Sequence, residues 1–212
     1  GPQDLDETIG PNKPFRDIAW GLASKGIAVL RYEKRTKQYA EKLLPIKESL
    51  TVKEEVIEDV ISAVSFLRKA EKINAQRIFV LGHSLGGMLI PRIGSIDPDI
   101  AGFIIMAGST KPLEDSFIEQ VKYIFSLDGS ISDQEKKKLD SLEKQVAKVK
   151  DPDLSEKTSS DHLLFNLPAK YWLDLRSYDP KESIKSIERP ILILQGERDY
   201  QVTLDDLQGW KD

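Results

Sequence analysis

Cysteine is absent from the 212 residues, which excludes disulfide bridges, thiol nucleophiles and cysteine-ligated zinc. Histidine is scarce: His83 and His162 are the only two, too few for a histidine-rich metal site. No apolar run approaches the roughly 20 residues that a membrane-spanning helix needs. A basic cluster is missing as well. Lys and Arg number 31 against 35 Asp and Glu, a net charge of −4 spread along the chain. That distribution argues against nucleic acid or an anionic membrane as a partner.

What remains is the composition of a globular domain, 40% apolar and 31% charged, long enough for one sizeable core. Pro14 to Lys25 reads as a helix with Phe15, Ile18, Leu22 and Ala23 on one face and Gly26 ending it. Ile27 to Tyr32 (IAVLRY) reads as a short buried strand, followed by a polar loop through Ser49. Thr51 and Glu54 make a capping box before an amphipathic helix with Val56, Ile57, Val60, Ile61, Val64 and Leu67 inward. Ile78 to Leu81 is the next strand, a helix runs from Leu85 to about Ile93, and Gly102 to Ala107 is a third strand. The alternation predicts a mostly parallel sheet with helices on both faces, an α/β fold. It stops after Gly108. Two amphipathic helices follow, one with Phe117, Ile118, Val121 and Phe125, the other capped by Ser132 and Glu135. A short helix from Pro168 to Arg176 precedes the strand Ile191 to Leu194. This divides the chain into a first core segment (1–110), an inserted helical cap (111–175) and a second core segment (176–212).

Chemistry concentrates at Gly82-His83-Ser84-Leu85-Gly86. The pattern G-x-S-x-G between an apolar strand and a helix is a nucleophile elbow, a turn so sharp that it exposes the serine hydroxyl above the sheet. Gly82 and Gly86 are expected to avoid collisions across the turn, and Gly87 to let the helix pack closely. The Leu85 N–H, at the helix start, points where an oxyanion would form. A phosphate loop is excluded, because no Lys-Ser/Thr pair follows the glycines.

A serine nucleophile needs a base, and the base an orienting carboxylate. In folds built on such an elbow the chain order is nucleophile, acid, histidine. Asp199, in the loop after the last strand, fits the acid, with Glu197 as the alternative on the same loop. No histidine follows Asp199. His83 reads as a packing residue, and His162, in the cap before the acid, is out of order for a base. Glu33 and Arg35 follow the IAVLRY segment and read equally as site residues or a surface ion pair. Tyr171 and Trp172 read as core or as the lining of an acyl pocket. Asp205 and Asp206 suit the dipole of a helix start.

Three stretches carry a family resemblance: GPQDLDETIGPNKPFRDIAWGLASKGIAVLRYEKRT, GHSLGG and ILILQGERDYQV. Together they resemble the α/β-hydrolase superfamily, and within it the dienelactone-hydrolase-like bacterial carboxylesterases of the esterase D type. In that group an HGSG motif leads into the aspartate-rich opening, and here only Gly1 of it is present. The resemblance therefore implies that the second oxyanion N–H lies at or just before Gly1. It also implies a chain truncated at both ends, with a histidine downstream of Trp210. It implies hydrolysis of small-molecule carboxylic esters through an acyl-enzyme, with no metal or organic cofactor. A peptidase or thioesterase of the same fold, and a noncatalytic binding module, are the competing expectations.

Overall fold

The computed structural model describes residues 3–212. The first helix, α1 (Pro14–Ala23), has proline in its first turn, and Gly26 beyond its end adopts φ +79. Two one-turn helices, α2 (Arg35–Gln38) and α3 (Ala40–Leu43), and a 3₁₀ turn (Leu44–Ser49) follow. A π turn (Lys53–Ile57) then runs into α4 (Glu58–Arg68). Glu54 reaches back to the N–H and hydroxyl of Thr51 at 2.8 and 2.7 Å, while the Thr51 hydroxyl accepts from the N–H of Lys53. These bonds hold the start of the helical run, although the threonine serves residue 53 rather than residue 54.

Strand β1 (Phe79–His83), α5 (Leu85–Met88), α6 (Ile90–Ile96) and β2 (Gly102–Met106) come next. Between β2 and β3 (Ile191–Leu194) lie α7 (Leu113–Ser126), α8 (Asp133–Lys150), α9 (Ala169–Arg176) and α10 (Pro180–Ile184). After β3 comes α11 (Leu204–Gly209). The three strands are parallel in the order β1-β2-β3, with His83 level with Met106 and Met106 level with Leu194. All three therefore deliver their carboxyl ends to one edge, where sites form in open parallel sheets.

Strand periodicity sorts the side chains between two faces. Val80, Phe103 and Ile105 are buried in a cluster with Val64, Leu89, Ile90 and Ile93 from the flanking helices. On the other face Phe79, Leu81, Leu192 and Leu194 are exposed. The first turn of α1 reaches that face at the carboxyl end of β1, where the Phe15 ring meets His83 edge-on at 5.5 Å. Helices thus stand on both sides of the sheet, as the alternation predicts.

Two expectations fail. Ile27 to Tyr32 forms no strand, and Ile27, Val29, Leu30 and Tyr32 are exposed. A short apolar run becomes a strand only when a neighbour completes its ladder, and no described strand pairs with it. The loop expected through Ser49 is instead three short helical turns. The Glu33–Arg35 reading resolves to ion pairs: Arg35 binds Asp59 and Glu58, and Glu33 lies 3.4 Å from Lys37.

The stretch between β2 and β3 is helical, and Ser132 and Glu135 form the reciprocal capping box. Val149, Leu154, Leu163 and Leu164 from this stretch belong to the same buried cluster as Leu89 and Ile105. These helices and the sheet consequently share one core. Tyr171 and Trp172 are buried within it, so they are core residues rather than pocket lining. The Tyr171 hydroxyl donates to Glu55 at 2.7 Å. Burial first, and then the negative charge of Glu55, push that hydroxyl well above its ordinary pKa.

Candidate active site

Ser84 stands between the last residue of β1 and the first of α5, with φ 52 and ψ −119. That backbone is one which non-glycine residues rarely adopt, at a cost of about 1–3 kcal/mol. The surroundings enforce it. The Ser84 N–H continues the sheet ladder by donating to the Met106 carbonyl at 3.1 Å, and the Ser84 carbonyl accepts from Met88 N–H at 3.0 Å. One residue thus closes both a strand and a helix, and its side chain is exposed.

Glycines make the turn possible, though not in the way the spacing suggests. A Cβ on Gly82 would overlap the Gly86 carbonyl and stand 2.8 Å from Gly87 N. On Gly87 it would meet the Gly108 Cα at 2.8 Å, so the elbow helix rests directly on the end of β2. A Cβ on Gly86 would meet nothing within 4 Å. The crowding is at Gly82 and comes from the Gly86 carbonyl, so the expected need for a glycine at position 86 is corrected. Leu85 opens α5, which leaves its N–H among the unpaired donors of a helix start. Gly1, the other expected oxyanion residue, lies outside the described residues.

Asp199 lies five positions past the end of β3, on the same sheet edge as Ser84. The strands that carry the two are separated by β2, a spacing of roughly 9–10 Å at the sheet. The Asp199 Oδ1 accepts from the N–H groups of Gln201 and Val202 at 2.8 and 3.1 Å, an Asx turn that fixes the carboxylate. Its Oδ2 receives no hydrogen bond among the described residues. Glu197, on the same loop, is exposed, whereas Asp199 is half-buried.

The histidines are committed elsewhere. Nδ1 of His83 lies 3.1 Å from Glu7 Oε2, and its ring rests against Phe15. His162 is exposed beside Lys148, Asp151 and Thr158, in a hollow that neither Ser84 nor Asp199 lines. Among the described residues no group of three or more His, Asp and Glu side chains could hold a metal, and no helix is long and apolar enough to cross a membrane.

Sequence reasoning missed the connections around this edge. Helix α7 touches the Asp199 loop twice: Gln120 donates to the Gln201 carbonyl at 3.1 Å, and Tyr123 stacks on Tyr200 at 4.9 Å. Asp206 is 2% exposed and accepts from Ser109, Thr110 and Thr203. The spacing Thr203-x-x-Asp206 is a cap signature and could have flagged the residue. Ser109 and Thr110 left no signal, because they are distant in sequence.

The model of the serine aminopeptidase (S33) family matches residues 13–206. Esterase EstD of Thermotoga maritima is 46% identical over 210 residues, an alignment covering 99% of this chain and 47% of that protein. The chain thus spans about half the length of this curated relative. Among solved structures, an α/β hydrolase of Penicillium sp. sh18 superposes with a TM-score of 0.58 at 15% identity, covering 100% of this chain and 74% of that one. An esterase of Pyrococcus furiosus gives 0.55 at 17% identity, covering 93% and 59%. At such identities the two superpositions speak for the fold.

Proposed function

The chain belongs to the serine aminopeptidase (S33) family of α/β-hydrolases, and on that premise we propose that it carries the nucleophile and acid of a carboxylic ester hydrolase. The observation that carries the reading is Ser84, an exposed serine held at positive φ on the turn from β1 to α5. In the proposed cycle the Ser84 Oγ attacks the ester carbonyl. The Leu85 N–H stabilises the oxyanion, the alcohol leaves, and water releases the acid from the acyl-enzyme. The free Oδ2 of Asp199 orients the imidazole that takes the serine proton. We assign that imidazole to a histidine outside these 212 residues, since His83 faces Glu7 and packs against Phe15 and His162 lines another hollow. Ester rather than amide chemistry is favoured by the name of the 46% identical relative. The family's aminopeptidase description supports a peptide bond as the second reading.

The test uses the native gene product. Hydrolysis of p-nitrophenyl acetate should exceed that of an alanine p-nitroanilide, and a fluorophosphonate should label Ser84. Ser84→Ala should abolish both turnover and labelling. Asp199→Asn should lower turnover about 10⁴-fold, the scale of losing the orienting acid in a comparable triad. Undiminished hydrolysis by Ser84→Ala would remove the proposal, and faster anilide cleavage would move it to the peptidase reading.

A further inference from the structure

We propose that Asp206 is a positioning residue of this site, setting the place of Asp199 relative to Ser84 through the end of β2. The inference rests on the Ser84–Asp199 reading and extends it to a buried carboxylate that the reaction itself does not use.

Asp206 joins the segment that follows the Asp199 turn to the segment beyond β2 on which the elbow helix rests. On one side its Oδ2 accepts from the Thr203 N–H at 3.1 Å. Thr203 directly follows Val202, whose N–H holds Asp199. On the other side its Oδ1 accepts from the Thr110 N–H at 2.7 Å, the Thr110 hydroxyl at 3.1 Å and the Ser109 hydroxyl at 3.0 Å. Ser109 follows Gly108, the residue against which the elbow glycine Gly87 packs. Two further contacts keep the junction closed. The Trp210 indole N–H donates to the Gly108 carbonyl at 2.7 Å. Gly209 leaves no room for a Cβ, which would stand 2.6 Å from the Thr110 hydroxyl oxygen. A continuous path therefore runs from the Ser84 turn through Gly87, Gly108 and Asp206 to the Asp199 turn.

The proton inventory shows why a carboxylate is needed there. An ionised carboxylate only accepts, so Ser109 donates to Asp206 and Ser116 of α7 donates in turn to Ser109, 3.0 Å away. Every partner of Asp206 is a donor. An asparagine in its place must set its NH₂ group against the N–H of Thr203 or of Thr110. Either choice pushes α11 away from β2, and the Asp199 turn moves with it.

The experiment is a double-mutant cycle in the native gene product, read by p-nitrophenyl acetate hydrolysis and by the fluorophosphonate labelling rate of Ser84. Asp206→Asn alone should lower kcat about 10²-fold, the scale expected for a 1 Å displacement of a catalytic group, with KM changed less than about threefold. In an Asp199→Asn background the same substitution should cost almost nothing further, because the group it positions no longer functions. An equal loss in both backgrounds would mark a purely structural role and overturn the proposal, as would full activity of Asp206→Asn. Should Asp206→Asn not fold, Ser109→Ala removes one donor and leaves the carboxylate in place. The same non-additivity is then required at smaller amplitude. If Ser84→Ala or Asp199→Asn leaves turnover intact, the active-site reading fails instead, and the cycle separates the two failures.

Discussion

At the scale of single residues, the elbow turns a steric difference between neighbouring glycines into a measurable contrast. Gly82 has the Gly86 carbonyl where its Cβ would go, and backbone cannot move aside as a side-chain tip can. Gly82→Ala is expected to cost about 3 kcal/mol, the upper end for forcing atoms into packed space. Gly86→Ala meets open space inside a helical turn. It should be neutral or stabilising by up to about 1 kcal/mol, the helix preference of alanine over glycine. Urea unfolding of the two variants checks the pair, and equal losses would mean that the turn is not held as described. Both glycines fit the G-x-S-x-G pattern, so the motif alone could not rank them. The distinction depends on which way each absent Cβ would point. Asp206 shows the same limit: its place at a helix start was legible, but its donors at 109 and 110 sit nearly a hundred positions away.

At the scale of elements, helices with capping residues and a continuous apolar face were legible, and IAVLRY was not. The bounds of β3 and the Ser132–Glu135 cap agree with the periodicity because local rules decide them. Ile27 to Tyr32 has the same apolar character as β3, but a strand is a property of a pair, and the run itself cannot show that its ladder is unfilled. The short turns between Arg35 and Ser49 lacked any period long enough to read. Local chemistry also makes the start of the 53–68 helical run sensitive to pH. Desolvation raises the Glu54 pKa, but the hydroxyl and N–H of Thr51 outweigh it and hold the carboxyl below its ordinary value. A depressed folded-state pKa means that the stabilisation is complete above the unfolded value, about 4.3, and is lost as pH falls through the folded value. Glu54→Ala should therefore be less stable than the parent at pH 7, and the gap should narrow as pH falls below the ordinary carboxylate range. A gap that stays constant down to pH 3 would show that the Glu54 charge contributes nothing.

For the molecule as a whole, the two faces of the sheet are in unequal situations, and this has a consequence in solution. Val80, Phe103 and Ile105 are sealed by helices, whereas Phe79 and Leu192 across the sheet are 54% and 52% exposed. Leu81 and Leu194 extend the exposed side along the same strands, and Ile27, Val29, Leu30 and Tyr32 add an apolar run whose backbone joins no described strand. Among the described residues β1 and β3 each pair on one side only. Open strand edges beside uncovered apolar surface favour association between chains. The 212-residue chain is therefore expected to bind the dye ANS and to scatter light increasingly with concentration. The surface responsible can be separated from general instability by where a charge is placed. Phe79→Lys combined with Leu192→Lys puts two charges on the exposed face, where water already solvates them, and should lower both signals while far-UV circular dichroism stays unchanged. Ile105→Lys puts one charge into the sealed face, where burying it unpaired costs far more than the fold can supply, and should abolish the helical signal altogether. Dye binding and scattering that persist in the double variant would mean that the exposed sheet face is not the source of the association.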